Sequence, residues 1–158
     1  MILNDVYGKP GHLIRRAQQI AVAIFVEECR HLDLTPLQYA ALVAIRDLPG
    51  IDATRLSEVI ANDRSTLGGV IERLEEKGWI ERRPSPDDRR VKLLHLTGTG
   101  ADLLGQAEPH VRRAQERILE PLAEAERGTL MRLLTDLVEL NNAHSRVPLK
   151  RAGEISQS

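Results

Sequence analysis

Apolar side chains recur every three or four residues in several long stretches of the chain, which predicts a largely helical protein. The first stretch runs from residue 11 to about residue 30. Its apolar face comprises Leu13, Ala17, Ile20 and Ile24, flanked by Ile14, Ala21 and Phe25. A helix this apolar at the end of a small domain has little core of its own to cover. We therefore expect a partner helix to cover it.

Three further helices follow in close succession, and each has a recognisable start or stop. The second helix is predicted to begin with Thr35 as its cap and Pro36 at its first position, and to end at Pro49-Gly50. Asp52 is the predicted cap of the third helix. Asn62 or Asp63 is the predicted cap of the fourth, which ends at Gly78 in a left-handed conformation. The last two of these helices share an apolar face and are joined by a tight turn at residues 61–63. This arrangement is typical of a helix-turn-helix, whose second helix is the candidate reader of the major groove of DNA.

The pattern then changes to two predicted strands, residues 79–83 and 91–96, around a turn-rich segment at residues 84–88, which indicates a hairpin or wing. Helical spacing resumes after Thr97, a predicted cap, with Pro109 as an expected kink or irregularity. A sixth helix is predicted after Pro121, with an apolar face of Leu122, Leu130, Leu133, Leu134, Leu137, Val138 and Leu140. The predicted fold class is mainly α with a small β-wing, a winged helix-turn-helix with N- and C-terminal dimerisation helices.

The amino-acid composition limits the classes of function that the chain can have. The chain has 158 residues, 42% of them hydrophobic and 28% charged, which fits one soluble globular unit without a membrane span and predicts a cytoplasmic location. The aromatic fraction of 3% disfavours a stacking platform for single-stranded nucleic acid. Cys29 is the only cysteine and the histidines lack ligand spacing, so we expect no disulfide, metal or other cofactor. A net charge of −1 means that any DNA-binding charge must be local.

The fourth predicted helix carries a candidate DNA-reading face opposite its apolar row. The residues on this face are Arg64, Ser65, Thr66, Gly69 and Arg73. Hydroxyl groups near a helix N-terminus can bind phosphates or base edges, glycine permits close backbone approach, and arginine can contact guanine with two hydrogen bonds. A solvated structural helix with two arginines remains the alternative reading of this pattern.

The predicted wing concentrates positive charge close to that helix. Its cations are Arg82, Arg83, Arg89, Arg90 and Lys92, and its turn also holds Asp87 and Asp88. Either the hairpin is a solvated surface with self-compensating charges, or an arginine at the tip enters the minor groove while an aspartate fixes its orientation.

Residues 34–104 resemble the multiple-antibiotic-resistance regulator (MarR) family of winged-helix repressors. The segments LTPLQYAALVAI, DRSTLGGVIERLEEKGWIERRPSPDDRRVKLLHLT and TGTGADLL carry the resemblance, which extends less specifically to both terminal helices. The family's aspartate-x-arginine wing signature falls on Asp88-Arg89-Arg90, which implies Arg90 as the minor-groove residue and Asp88 as its organiser.

The resemblance also implies an organisation for the whole chain. Residues 1–146 form a single unit, in which 11–30 and 98–146 are dimerisation helices and 35–97 is the DNA-binding region, and 147–158 form a flexible tail. An obligate homodimer then presents two recognition helices to successive major grooves of a pseudo-palindromic double-stranded operator.

Members of that family commonly respond to small phenolic or aromatic carboxylic acids, so the resemblance implies an effector. The candidate ligand-binding residues are His12, Arg15 and Arg16 near the start of the first helix, with Tyr39 potentially opposite on the second. Arginine and histidine can hold a carboxylate while apolar side chains surround the ring. Alternatively, the arginines face solvent or pair across the dimer.

Three other functions are alternatives to a ligand-responsive repressor. An oxidation-sensing repressor would use Cys29, but Glu27 and Glu28 beside it disfavour the thiolate. A winged helix used for protein-protein interaction would leave the arginine-bearing wing without a purpose. An enzyme would have to rely on Cys29 with His31 or His12, and because the chain has no phosphate loop or nucleophile elbow, we expect no enzymatic activity.

Overall fold

The computed structural model describes residues 2–155 as a mostly helical chain with one small sheet. Its α-helices are α1 (Leu3–Tyr7), α2 (Pro10–Glu28), α3 (Pro36–Asp47), α4 (Ala53–Val59), α5 (Arg64–Glu76), α6 (Gly98–Leu119), α7 (Glu124–Leu140) and α8 (Ala152–Ile155). Its strands are β1 (Ile51–Asp52), β2 (Ile80–Pro84) and β3 (Lys92–Leu96). Short 3-10 turns lie at Arg30–Leu32 and Asn142–His144. These elements confirm the predicted winged helix-turn-helix.

The predicted helix caps are confirmed. Thr35 accepts a hydrogen bond from the backbone N–H of Gln38, whose side chain accepts one from the Thr35 N–H, so the pair forms a capping box. The Asp52 and Asp63 carboxylates cap α4 and α5 by accepting from the backbone N–H groups of Arg55 and Thr66. After α5, Gly78 has a φ of 72°, the left-handed backbone that lets the chain turn into β2.

The three strands form an antiparallel sheet in the order β1-β3-β2. Ile51 pairs with Leu94, and Ile80 pairs with Leu96 at the base of the hairpin. Strand β1 was not predicted, because two residues carry no readable alternation. Because β1 directly precedes α4 and pairs with β3, it connects the wing to the helix-turn-helix.

One buried core joins these elements. Its fully buried side chains lie on α3, α4, α5, β2 and β3, and they include Leu42, Ile45, Leu56, Leu67, Leu74, Ile80 and Leu94. Phe25, near the end of α2, and Cys29, just after it, also belong to this core. Arg117 of α6 then clamps that end with ion pairs of 3.1 Å to Glu27 and 2.6 Å to Glu28.

The structure corrects several predicted boundaries. The first long helix, α2, begins at Pro10 and ends at Glu28, and the short α1 precedes it. Helix α6 continues through Pro109 as one helix. Helix α7 begins at Glu124, because the chain after α6 makes a turn in which the Leu122 N–H donates to the Leu119 carbonyl, so Leu122 lies outside the predicted face.

Apolar faces on α2 and α7 remain uncovered within the chain. The exposed side chains are Leu13, Ile14, Ile20, Val22 and Val26 on α2, and Met131, Leu133, Leu134, Leu137, Val138 and Leu140 on α7. Exposed apolar side chains in this number mark an interaction site. None of the helices within residues 2–155 has the length and apolarity needed to cross a membrane.

Candidate nucleic-acid interface

Helix α5 has one face buried in the core and one face exposed to solvent. Leu67, Val70, Ile71 and Leu74 are buried in the core. The candidate reading residues Arg64, Ser65, Thr66, Gly69 and Arg73 are all exposed. No atom outside the helix backbone lies within 4 Å of the position that a Cβ on Gly69 would occupy, so the helix backbone is accessible there.

The hydroxyl of Thr66 is already engaged at the start of α5. It donates to Oδ2 of Asp63 at 2.9 Å, while the Thr66 backbone N–H donates to Oδ1 of the same carboxylate. These two bonds lower the pKa of Asp63 and keep it ionised. Ser65 is therefore the freer hydroxyl donor at this helix end.

Arg90 projects from the wing and is held in position by hydrogen bonds to Asp88. Its backbone N–H and Nε both donate to Oδ1 of Asp88, at 3.0 and 3.1 Å, and its Nη2 donates to Oδ2 at 3.1 Å. The guanidinium holds the pKa of Asp88 below its ordinary value. The Arg90 side chain is nevertheless 91% exposed, so Asp88 fixes its orientation without covering it.

Two other wing arginines have structural partners. Arg82 grips Glu75 of α5 with bonds of 3.0 and 2.7 Å from Nε and Nη2, which ties β2 to the candidate reading helix. This pair raises the pKa of Arg82 and lowers that of Glu75. Arg83 pairs with Glu81 on the same strand. Some arginines of the wing therefore form internal ion pairs that stabilise it, whereas Arg90 is exposed to solvent.

The remaining cations on this surface have no ion-pair partner among residues 2–155: Arg64 and Arg73 on α5, and Arg89 and Lys92 on the wing. Unpaired cations can neutralise phosphates without first breaking an internal bond. The sequence did not distinguish them from the paired arginines, because the pairing of Arg82 depends on how β2 folds against α5.

A cleft of about 620 Å³ lies between α4, α5 and the wing. Its lining includes Arg64 and Gly68 of α5, Arg90 and Lys92 of the wing, and Glu58 of α4. Lys150 and Ile155, from the segment after α7, also line it. Sequence reasoning missed these two residues, since no local pattern indicates contact with a helix ninety residues earlier.

The candidate effector residues do not form one cluster within the chain. Arg15 Nη2 lies 3.4 Å from Nδ1 of His12, and the Tyr7 ring packs 5.5 Å from the His12 ring. Arg16 instead bonds Gln19. Tyr39 packs against Phe25, thirteen residues beyond His12 and therefore about 20 Å along α2. The expected grouping of Tyr39 with His12 is thus not formed within one protomer.

Cys29 lies at the end of α2 and is completely buried. Burial, with a smaller contribution from the charge of Glu28, raises its pKa. A protonated thiol out of contact with solvent is a poor nucleophile. This environment does not suit an oxidation sensor.

Comparison with known proteins places these features in a family. The model of the MarR family matches residues 34–92. The HTH-type transcriptional repressor NicR of Pseudomonas putida is 33% identical over 135 residues, which cover 85% of each chain.

Two solved structures of MarR-type regulators are also similar. Bordetella bronchiseptica BpsR, whose DNA binding is regulated by 6-hydroxynicotinic acid, has a TM-score of 0.76 at 33% identity, covering 83% of this chain and 94% of its own. A mutant Escherichia coli MarR complexed with operator DNA has a TM-score of 0.78 at 30% identity, covering 87% and 99%.

Proposed function

The chain belongs to the MarR family, and from this premise we propose that it is a sequence-specific transcriptional repressor that binds a pseudo-palindromic operator as a homodimer. The observation that carries the proposal is the pairing of an exposed reading helix with a wing whose Arg90 is oriented by Asp88 and left open to solvent. The relatives are transcriptional regulators rather than enzymes, and we assign no catalytic activity to this chain. A repressor of this kind acts in the cytoplasm, where the chromosomal DNA lies.

The two parts of the surface have separate tasks. Helix α5 enters the major groove, where Arg64 and Arg73 contact phosphates or base edges and Ser65 and Gly69 allow close approach. The wing crosses to the adjacent minor groove, where Arg90 meets the strong negative potential and Arg89 and Lys92 contact the backbone. Because Asp88 already holds the Arg90 side chain, little rotamer freedom is lost on binding.

The homodimer follows from the uncovered faces of α2 and α7. These helices flank residues 36–96, which hold the DNA-binding elements, and they present the exposed leucines and isoleucines that a second copy covers. A twofold dimer places the two α5 helices on one side, about one helical turn of DNA apart.

We also propose a small aromatic carboxylic acid or phenol as the effector. The similarity to BpsR supports an aromatic acid, and the adjacent His12 and Arg15 supply a cationic end for its carboxylate. Calorimetric titration with 6-hydroxynicotinic acid tests the site. Arg15→Ala is expected to weaken binding, and Arg30→Ala, in the 3-10 turn beyond the far end of α2, is expected to leave it unchanged. Equal affinities in both variants and the original chain contradict this site.

The DNA-binding function is tested with duplex DNA from the region upstream of the protein's own gene, in mobility-shift titrations at increasing salt. We expect a specific shift that resists random-sequence competitor and weakens steeply as salt rises, because bound cations displace condensed counterions. Binding to no duplex at low salt would favour a protein-interaction module instead.

A further inference from the structure

The segment after α7 folds back onto the proposed DNA interface. We name residues 146–155 the C-terminal strap. Its path is fixed at Asn142, whose side chain donates to the Leu149 carbonyl at 3.0 Å and accepts from the Leu149 N–H at 2.8 Å. The segment predicted as a flexible tail therefore has defined contacts up to residue 155, and residues 156–158 lie outside the described residues.

The strap is then anchored on α4. The backbone N–H of Lys150 donates to the Glu58 carbonyl at 3.0 Å, and its Nζ lies 2.8 Å from Oε1 of the Glu58 carboxylate. Arg151 forms a second ion pair, of 2.8 Å, with Glu139 of α7. These bonds direct the last described turn, α8, toward the wing.

Ile155, the last residue of the strap, lines the cleft beside α5 and the wing. It is only 7% exposed, whereas residues 148–154 are all exposed. The same cleft is lined by Arg64, Gly68 and Arg90. An isolated buried isoleucine at the end of an exposed segment has the character of an apolar anchor.

DNA and the strap need the same space. When α5 lies in a major groove and the wing in the adjacent minor groove, the phosphate backbone that separates the grooves must pass between them. Ile155 lines this passage, so a phosphate backbone that enters it meets an apolar side chain and the strap that carries it. Arg64 and Lys92, which would contact those phosphates, line the same cleft.

We propose that the C-terminal strap is an autoinhibitory element that competes with DNA for the cleft between α5 and the wing. The proposal rests on the proposed DNA-binding function. Duplex DNA binds after Ile155 leaves the cleft, so the apparent affinity is the intrinsic affinity multiplied by the fraction of molecules with an open cleft. An open fraction of roughly 0.1–0.3 would weaken binding by about 3- to 10-fold.

The test compares Ile155→Asp with Ala152→Asp, which adds the same charge at an exposed position of the strap. The probe is a labelled random-sequence duplex at low salt, measured by fluorescence anisotropy. Ile155→Asp is expected to bind about 3- to 10-fold more tightly than the original chain, despite its added negative charge, and Ala152→Asp is expected to bind no more tightly. Equal or weaker binding by Ile155→Asp overturns the proposal.

Lys150→Ala distinguishes an inhibitory strap from a basic segment that itself contacts DNA. Removing the bond to Glu58 loosens the strap, so this variant is expected to bind the duplex more tightly even though a positive charge is lost. Weaker binding identifies Lys150 as a phosphate contact and overturns the inhibitory role.

Hydrogen exchange of the Lys150 backbone amide measures, in the absence of DNA, whether the strap is bound to α4. The amide is expected to be protected in the original chain and to exchange faster in Ile155→Asp. A protected amide in the original chain, with no duplex binding by either the original chain or Ile155→Asp, overturns the DNA function and the competition with it. An unprotected amide in a chain that does bind duplex overturns the strap alone.

Discussion

At the scale of single residues, the DNA interface depends on which cations are already paired. Arg82 and Arg83 lie on β2 and hold Glu75 and Glu81, so they support the wing. Arg90 is also paired, but its partner belongs to the same turn and leaves the side chain in solvent. The sequence placed all the wing arginines together, and only the folded hairpin separates their roles.

Arg90→Ala is expected to weaken operator binding by roughly tenfold while leaving the thermal midpoint nearly unchanged, because the exposed side chain contributes to DNA contact and hardly to folding. Arg112→Ala is the matched control, since Arg112 is an exposed arginine in an ion pair on α6. Anisotropy titrations with the upstream duplex measure both. An equal loss in the two variants would show a general charge effect.

Asp88→Asn tests whether Asp88 positions Arg90. A carboxylate that merely repelled phosphates would improve DNA binding when removed. A carboxylate that orients the guanidinium is expected to weaken binding when replaced, because Arg90 then loses rotamer freedom on binding. The sign of the change in dissociation constant decides between the two roles.

At the scale of elements, local sequence signals were sufficient to predict where the helices begin, but not how the elements connect to one another. Thr35, Asp52 and Asp63 can be predicted as caps because a cap acts within three residues of its own position. Strand β1 and the strap were missed, since each is defined by a distant partner: β1 by Leu94, and the strap by Glu58.

The junction between the wing and α6 depends on Gly100. A Cβ added there would lie 2.1 Å from the Trp79 carbonyl oxygen and 2.8 Å from Cδ1 of Leu96. Gly100→Ala is therefore expected to destabilise the protein by about 2–4 kcal/mol. Gly105→Ala, in the same helix with open space around it, is expected to stabilise by about 0.5–1 kcal/mol.

Urea denaturation at one fixed protein concentration measures both glycine variants, because the stability of a dimer depends on concentration. Similar midpoints for the two variants would contradict the close packing of α6 against Trp79.

At the scale of the whole molecule, α7 requires a second chain. Leu134 lies on its uncovered apolar face, and Arg132 is an exposed residue on the same helix, about 160° away round its axis. Leu134→Glu is expected to raise the dimer dissociation constant by at least roughly thirtyfold, because a charge would be buried at the interface. Arg132→Glu is expected to sediment as a dimer. Analytical ultracentrifugation compares them, and an unaffected Leu134→Glu dimer places the interface elsewhere.

The central claim is that two copies of this chain read one symmetric DNA site. Incubating the protein with fragmented genomic DNA and sequencing the retained fragments tests it across every candidate operator in the genome at once. The account predicts enrichment of an inverted repeat with half-sites about one helical turn apart, and loss of that enrichment in Arg73→Ala and Arg90→Ala. Retained fragments with no shared repeat, or the same fragments with both variants, would contradict it.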